Sequence, residues 1–156
     1  MKFLFTIISL SLFSTSCIAQ GNIQHQYTGY EINNNFKVIQ NFITDYEVED
    51  GGAVLDNKVS IYKLNENQCV IVAKVDGDSG GYGGEDILYF YDSNFLSGYS
   101  LNYSYTFLNN EGTKKLNKPN YMEVINNGEN TISLRTDFIK YLKEFNKNTI
   151  SKCRHH

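Results

Sequence analysis

The sequence has no tryptophan, a single proline (Pro119), and three histidines, two of which are its last two residues, His155 and His156. Nucleophilic hydrolysis of the Ser-His-Asp or Cys-His type needs a histidine held by the fold. The only one before the tail, His25, lies in a polar, Asn- and Gln-rich stretch, so that chemistry is poorly supplied. No GxGxxG or P-loop opens a helix. The glycines at 77–84 lead instead into an apolar strand, which leaves no helix N-terminus ready for phosphate. Positive charge is short as well, 14 Lys and Arg against 17 Asp and Glu for a formal net charge of −3. That balance disfavours nucleic acid, whose phosphates need a basic footprint. No apolar run reaches the roughly 20 residues of a transmembrane helix.

What is present begins with an export signal. Lys2 is followed by an apolar stretch from Phe3 to Phe13, then Ser14-Thr15-Ser16 and the small-residue site Cys17-Ile18-Ala19. The pattern predicts a signal peptide over 1–19, a mature chain from Gln20, and a periplasmic or secreted location. Its apolar core of about 11 residues is too short to cross a bilayer. The alternative is a lipid anchor at Cys17, although Ser14 stands where an aliphatic residue is usual. Loss of Lys2 makes the mature chain one charge more acidic. Two cysteines remain, Cys69 and Cys153, and in an oxidising compartment they are a candidate disulfide.

Along the chain, 20–35 reads as a flexible polar leader. Phe36, Ile39 and Ile43 fit one face of a short helix over 36–44. Period-two alternation then dominates. It predicts strands at Val59–Leu64, Cys69–Val75, Ile87–Tyr91 and Tyr99–Phe107, the second apolar on both faces and therefore central. Further strands are expected at Tyr121–Ile125 and, after an Asn126-Asn127-Gly128 turn, at Thr131–Leu134. Thr136 then caps a helix in which Phe138, Tyr141, Leu142 and Phe145 recur at i, i+3, i+4 and i+7. Short turns between neighbouring strands specify an antiparallel meander. The expected fold is α+β: a sheet of five or six strands over 54–135, a helix at 136–147 packed on one face, and a loose tail at 151–156.

The segment richest in potential chemistry is Asp76 to Asp86, with five glycines and four carboxylates between two strong strands. Asp76, Asp78, Ser79, Tyr82, Glu85 and Asp86 are the candidate binding residues of a recognition loop. Ser79-Gly80-Gly81-Tyr82 is similar, over those four residues, to the Ser-Gly-x-Tyr loops of periplasmic lysozyme inhibitors. Those small exported sheet proteins place such a loop in the lysozyme cleft, and the resemblance implies an enzyme-blocking role.

The expected function is therefore a small exported non-enzymatic binding protein, of inhibitor or immunity type, whose partner is another protein. No cofactor is expected. Calcium is the alternative, held by Asp76, Asp78, Glu85 and Asp86; counted as an EF-hand from Asp76 the loop fails, with Gly80 at position 5 and Ile87 at position 12. A small carboxylate hydrolase using Asp78 and Glu85 is a further alternative. A different binding face would be the polar side of the last long strand, Ser100, Asn102, Ser104 and Thr106.

Overall fold

The computed structural model describes residues 26–47, 54–77, 80–116, 118–122 and 128–154; the signal-peptide and Cys17 readings, Asp78, Ser79 and the last two histidines lie outside them. Six strands follow one another in space as they do in sequence: β1 (Val38–Glu47), β2 (Val54–Asn65), β3 (Gln68–Asp76), β4 (Tyr82–Tyr91), β5 (Asn94–Ser104) and the short β6 (Asn120–Tyr121). Every neighbouring pair is antiparallel, so the sheet is the expected meander. Between β4 and β5 the chain turns through Asp92 and Ser93, both at positive φ (45° and 66°). A tight turn of that hand matches the twist of the strands it joins.

Alternation sorts the side chains to two faces. Val59, Ile61, Cys69, Ile71, Leu88 and Phe90 form one core, covered by α2 (Gly128–Glu144) through Leu134, Phe138 and Tyr141, with Phe145 just beyond its end. Phe138 packs at a tilt against both Phe90 and Phe95, at ring separations of 5.4 and 5.5 Å. The opposite face buries Val70, Val72, Ile87, Tyr89, Tyr99 and Leu101 beneath Ile32 of α1 (Gly29–Asn35). A last helix, α3 (Lys147–Ser151), ends near Cys153, which is disulfide-bonded to Cys69 on β3. Among the described residues no helix is long and apolar enough to cross a membrane.

Five expectations are corrected. The segment 36–44 is not helical: Phe36 caps the end of α1, and β1 begins at Val38. A helix there would have buried Ile43, which is 64 % exposed, whereas pairing with β2 satisfies the backbone and turns Phe42 onto Phe145. The leader is not featureless, since its second half is α1. Thr131–Leu134 is not a strand either, and Thr136 is not a cap. The stripe of α2 reaches back to Leu134, and the Thr136 hydroxyl donates to the Ile132 carbonyl within the helix (3.0 Å). Of the strand expected at Tyr121–Ile125 only Asn120–Tyr121 is seen, and residues 123–127 lie outside the described ones. Finally the tail is anchored: Cys153 is buried, and the Gln40 side chain of β1 accepts from Thr149 Oγ1 (2.6 Å) and the Asn146 N–H (3.2 Å).

Candidate functional site

The described residues of the glycine-rich segment hold the end of the β3–β4 hairpin together. The Gly77 N–H donates to the Tyr82 carbonyl (2.9 Å), the Gly80 N–H to the Gly77 carbonyl (2.7 Å), and the Tyr105 N–H to the Gly81 carbonyl (2.8 Å). Gly83 is required by close approach: a Cβ there would sit 2.6 Å from Tyr103 Cζ. The Tyr103 hydroxyl crosses this point to donate to Asp76 Oδ1 (2.8 Å).

Because β4 alternates, the candidate residues do not form one site. Glu85 faces α1 and Asp86 faces α2; Asp78 and Ser79 are outside the described residues. Glu85 is 4 % exposed and accepts from the Gly29 N–H and, at 3.4 Å, from the Tyr121 hydroxyl. Tyr121 in turn accepts from the Tyr30 N–H (3.1 Å). Thr28 and Glu31 close a reciprocal capping box, so the first three N–H groups of α1 and that of its cap are all satisfied. Burial drives the Glu85 carboxyl above its ordinary range, against the pull of the Gly29 N–H, Tyr121 and the Lys74 charge. Glu85 is thus the dock of a helix rather than a solvent-facing acid.

The same end of α1 is held by a closed hydrogen-bond circuit. Tyr99 donates to the Tyr27 carbonyl (2.6 Å), so in its 3.1 Å contact with Tyr89 the proton comes from Tyr89. The Tyr27 N–H completes the ring to the Tyr89 hydroxyl (3.4 Å). Beside this dock lies a groove of ≈ 1070 Å³ that Tyr30, Lys58, Ser60, Tyr62, Lys74 and Tyr105 help to line. Lys74 is already engaged there, donating to the Tyr105 hydroxyl (2.8 Å) and lying 3.6 Å from Asp76.

The open groove that the loop borders is on the other face. It has a volume of ≈ 1180 Å³ and runs between α2 and the far ends of β1–β5. Its floor carries Asn57, Asp86, Ser100 and Asn102; its wall carries Asp137, Lys140 and Tyr141; Tyr46, Tyr82 and Met122 stand exposed around it. Ser100 donates to Asp86 Oδ1 (2.6 Å). Burial, reinforced by the nearby Asp137 charge, raises the Asp86 carboxyl above its ordinary range. Asp137 is raised too, by burial, with Lys140 one turn away pulling it down. Asn57 Nδ2 donates to the Tyr141 hydroxyl (2.9 Å), and burial pushes that phenol up to about 12. Asn57 Oδ1 has no hydrogen-bond partner. Tyr141→Phe should therefore cost about 1–3 kcal/mol, since it strands the buried amide completely; a melting temperature unchanged from wild type would contradict the Asn57–Tyr141 contact.

The sequence reading missed Asn57, Asp137, Lys140 and Tyr141 as groove residues. A usable signal existed: Asp137 and Lys140 flank the Phe138–Phe145 stripe on the side where Tyr141 forms its edge, and there a helix lying on a sheet presents a wall. Among the described residues, no three of His, Cys, Asp and Glu stand together in a way that could hold a metal ion. The chain matches no protein-family model, no curated protein and no solved structure.

Proposed function

We infer that the chain is an exported, non-enzymatic binding protein that captures a protein partner along the groove between α2 and the sheet, with Gly77 and Tyr82–Gly84 at its rim. The observation that carries this reading is the position of Tyr82. Its ring is 59 % exposed at the mouth of a groove whose floor is polar, next to Tyr46 and Met122. Exposed tyrosines around a concave polar floor are the usual make-up of a recognition surface. The disulfide supports an oxidising, extracytoplasmic compartment. An inhibitor or immunity role is the reading that the exposed Tyr82 beside this groove supports, with the tyrosine entering an enzyme's cleft while the groove receives the surrounding surface.

The test is partner capture from an extracytoplasmic extract, together with inhibition of a purified lysozyme. Tyr82→Ala should weaken capture by tenfold or more, about 1.4 kcal/mol or above, and leave the melting temperature nearly unchanged. Undiminished capture by that variant would remove the rim from the binding surface.

A further inference from the structure

Asp86 is a partly buried carboxylate that the fold does not use. Glu85 holds α1 and Asp76 meets Tyr103 and Lys74, but Asp86 is met only by the Ser100 hydroxyl. Among the described residues no ion pair reaches it. A second carboxylate, Asp137, faces it from a different element, α2, and among the described residues the one cation lining the groove, Lys140, sits on Asp137's own helix. Lys140 offsets Asp137 in part, but Asp86 beside it has no ion pair among the described residues, and such an acid pair is unfavourable for folding unless something else compensates it.

An independent observation points the same way. Asn57, 3 % exposed, lines this groove, and its Oδ1 is an acceptor with no donor. Its Nδ2 is spent on Tyr141, whose own hydroxyl proton remains to be placed. Two carboxylates and an orphan amide oxygen make the inner groove rich in acceptors and poor in donors. A complementary ligand is cationic and carries several N–H groups, which describes a guanidinium with five donors or an ammonium with three.

Resting on the groove reading above, we propose that the inner groove between Asp86 and Asp137 is a pocket for a basic side chain, arginine or lysine, of the partner protein. Asp86 and Asp137 take the charge, Ser100 keeps Asp86 oriented, and the Asn57–Tyr141 pair lines the adjoining wall. The rim tyrosine then sets where the partner's backbone runs.

The probe is a blocked tripeptide, acetyl-Gly-Arg-Gly-amide, titrated into the oxidised chain and followed by amide and side-chain NH₂ chemical shifts. The controls are the same peptide with neutral citrulline, and calcium chloride. Saturable shifts at Asp86, Ser100 and the Asn57 side chain are expected with the arginine peptide. Binding should be about tenfold or more weaker with citrulline and in Asp86→Asn or Asp137→Asn. Both variants keep size and hydrogen bonding, and their melting temperatures show that they fold. Equal binding of the citrulline peptide, no saturable shift in these residues, or displacement of the peptide by millimolar calcium would each overturn the proposal. The tripeptide is too short to depend on Tyr82. Its failure therefore leaves the Tyr82 capture result to stand or fall separately, and loss of the Tyr82 effect leaves the peptide result intact.

Discussion

Replacing Cys69 and Cys153 together by alanine will lower the melting temperature by about 10 °C, as will reduction of the wild-type chain. The bond closes 84 residues of sequence and ties the end of α3 to β3, a central strand. Cross-linking so long a loop removes much freedom from the unfolded chain, for which roughly 2–5 kcal/mol is usual. Without it α3 is a five-residue helix, too short to persist alone. It would be held by its Asn146 cap, by Gln40 and by the burial of Ile150. Thermal unfolding followed by circular dichroism, with and without reductant, measures the effect. A double variant that melts like wild type would mean that these local contacts suffice.

Gly29→Ala and Glu85→Gln will change stability in opposite directions at neutral pH. A Cβ on Gly29 would lie 2.8 Å from Glu85 Cδ, inside any real contact, so α1 or the carboxylate must move. The loss should be about 1–3 kcal/mol. Glutamine at 85 keeps the acceptor for the Gly29 N–H and removes the buried charge. The sign follows from the raised carboxyl. Between its ordinary value and its higher value in the fold, Glu85 keeps a proton in the folded chain that the unfolded chain has released. Stability is therefore greatest below the ordinary carboxylate range and falls as pH rises through that window; Asp86 and Asp137, also raised, act in the same direction. Glu85→Gln removes its share, so the variant should melt a few degrees above wild type at pH 7.5 and level with it near pH 4. The Glu85 surroundings that set the window are the Gly29 N–H, Tyr121, Lys74 and the neighbouring Asp86. Stability that rises with pH in wild type and not in the variant would reverse this account.

The strands were legible wherever one residue in two decided burial. In β5 a slip of one position would move Tyr99, Leu101 and Tyr103 out of the core, and in β3 both faces are apolar because both are buried, so local pattern and global fold agree. The helical stripe of Phe138, Tyr141 and Phe145 was legible for the same reason at a different period. The cysteine pair followed from count and compartment. At β1 the pattern was ambiguous because Phe36, Ile39 and Ile43 suit a helix as well as a strand. Only the vacant edge of β2, a partner 15 or more residues away in sequence, selected the strand.

Helix α1 shows the same limit more sharply. Its Thr28-Gly29-Tyr30-Glu31 capping box was visible in the sequence, but seven residues cannot hold a helix in water. What stabilises it is Glu85 and Tyr121, 56 and 91 residues away. In the candidate loop the acids read along the sequence as one cluster, whereas strand alternation sends Glu85 and Asp86 to opposite faces. The sequence by itself therefore determined the meander, its covering helix and the loop's position. The tertiary structure alone decided which carboxylate is spent on folding and which is left facing a groove, because that depends on what each face of β4 meets across the molecule.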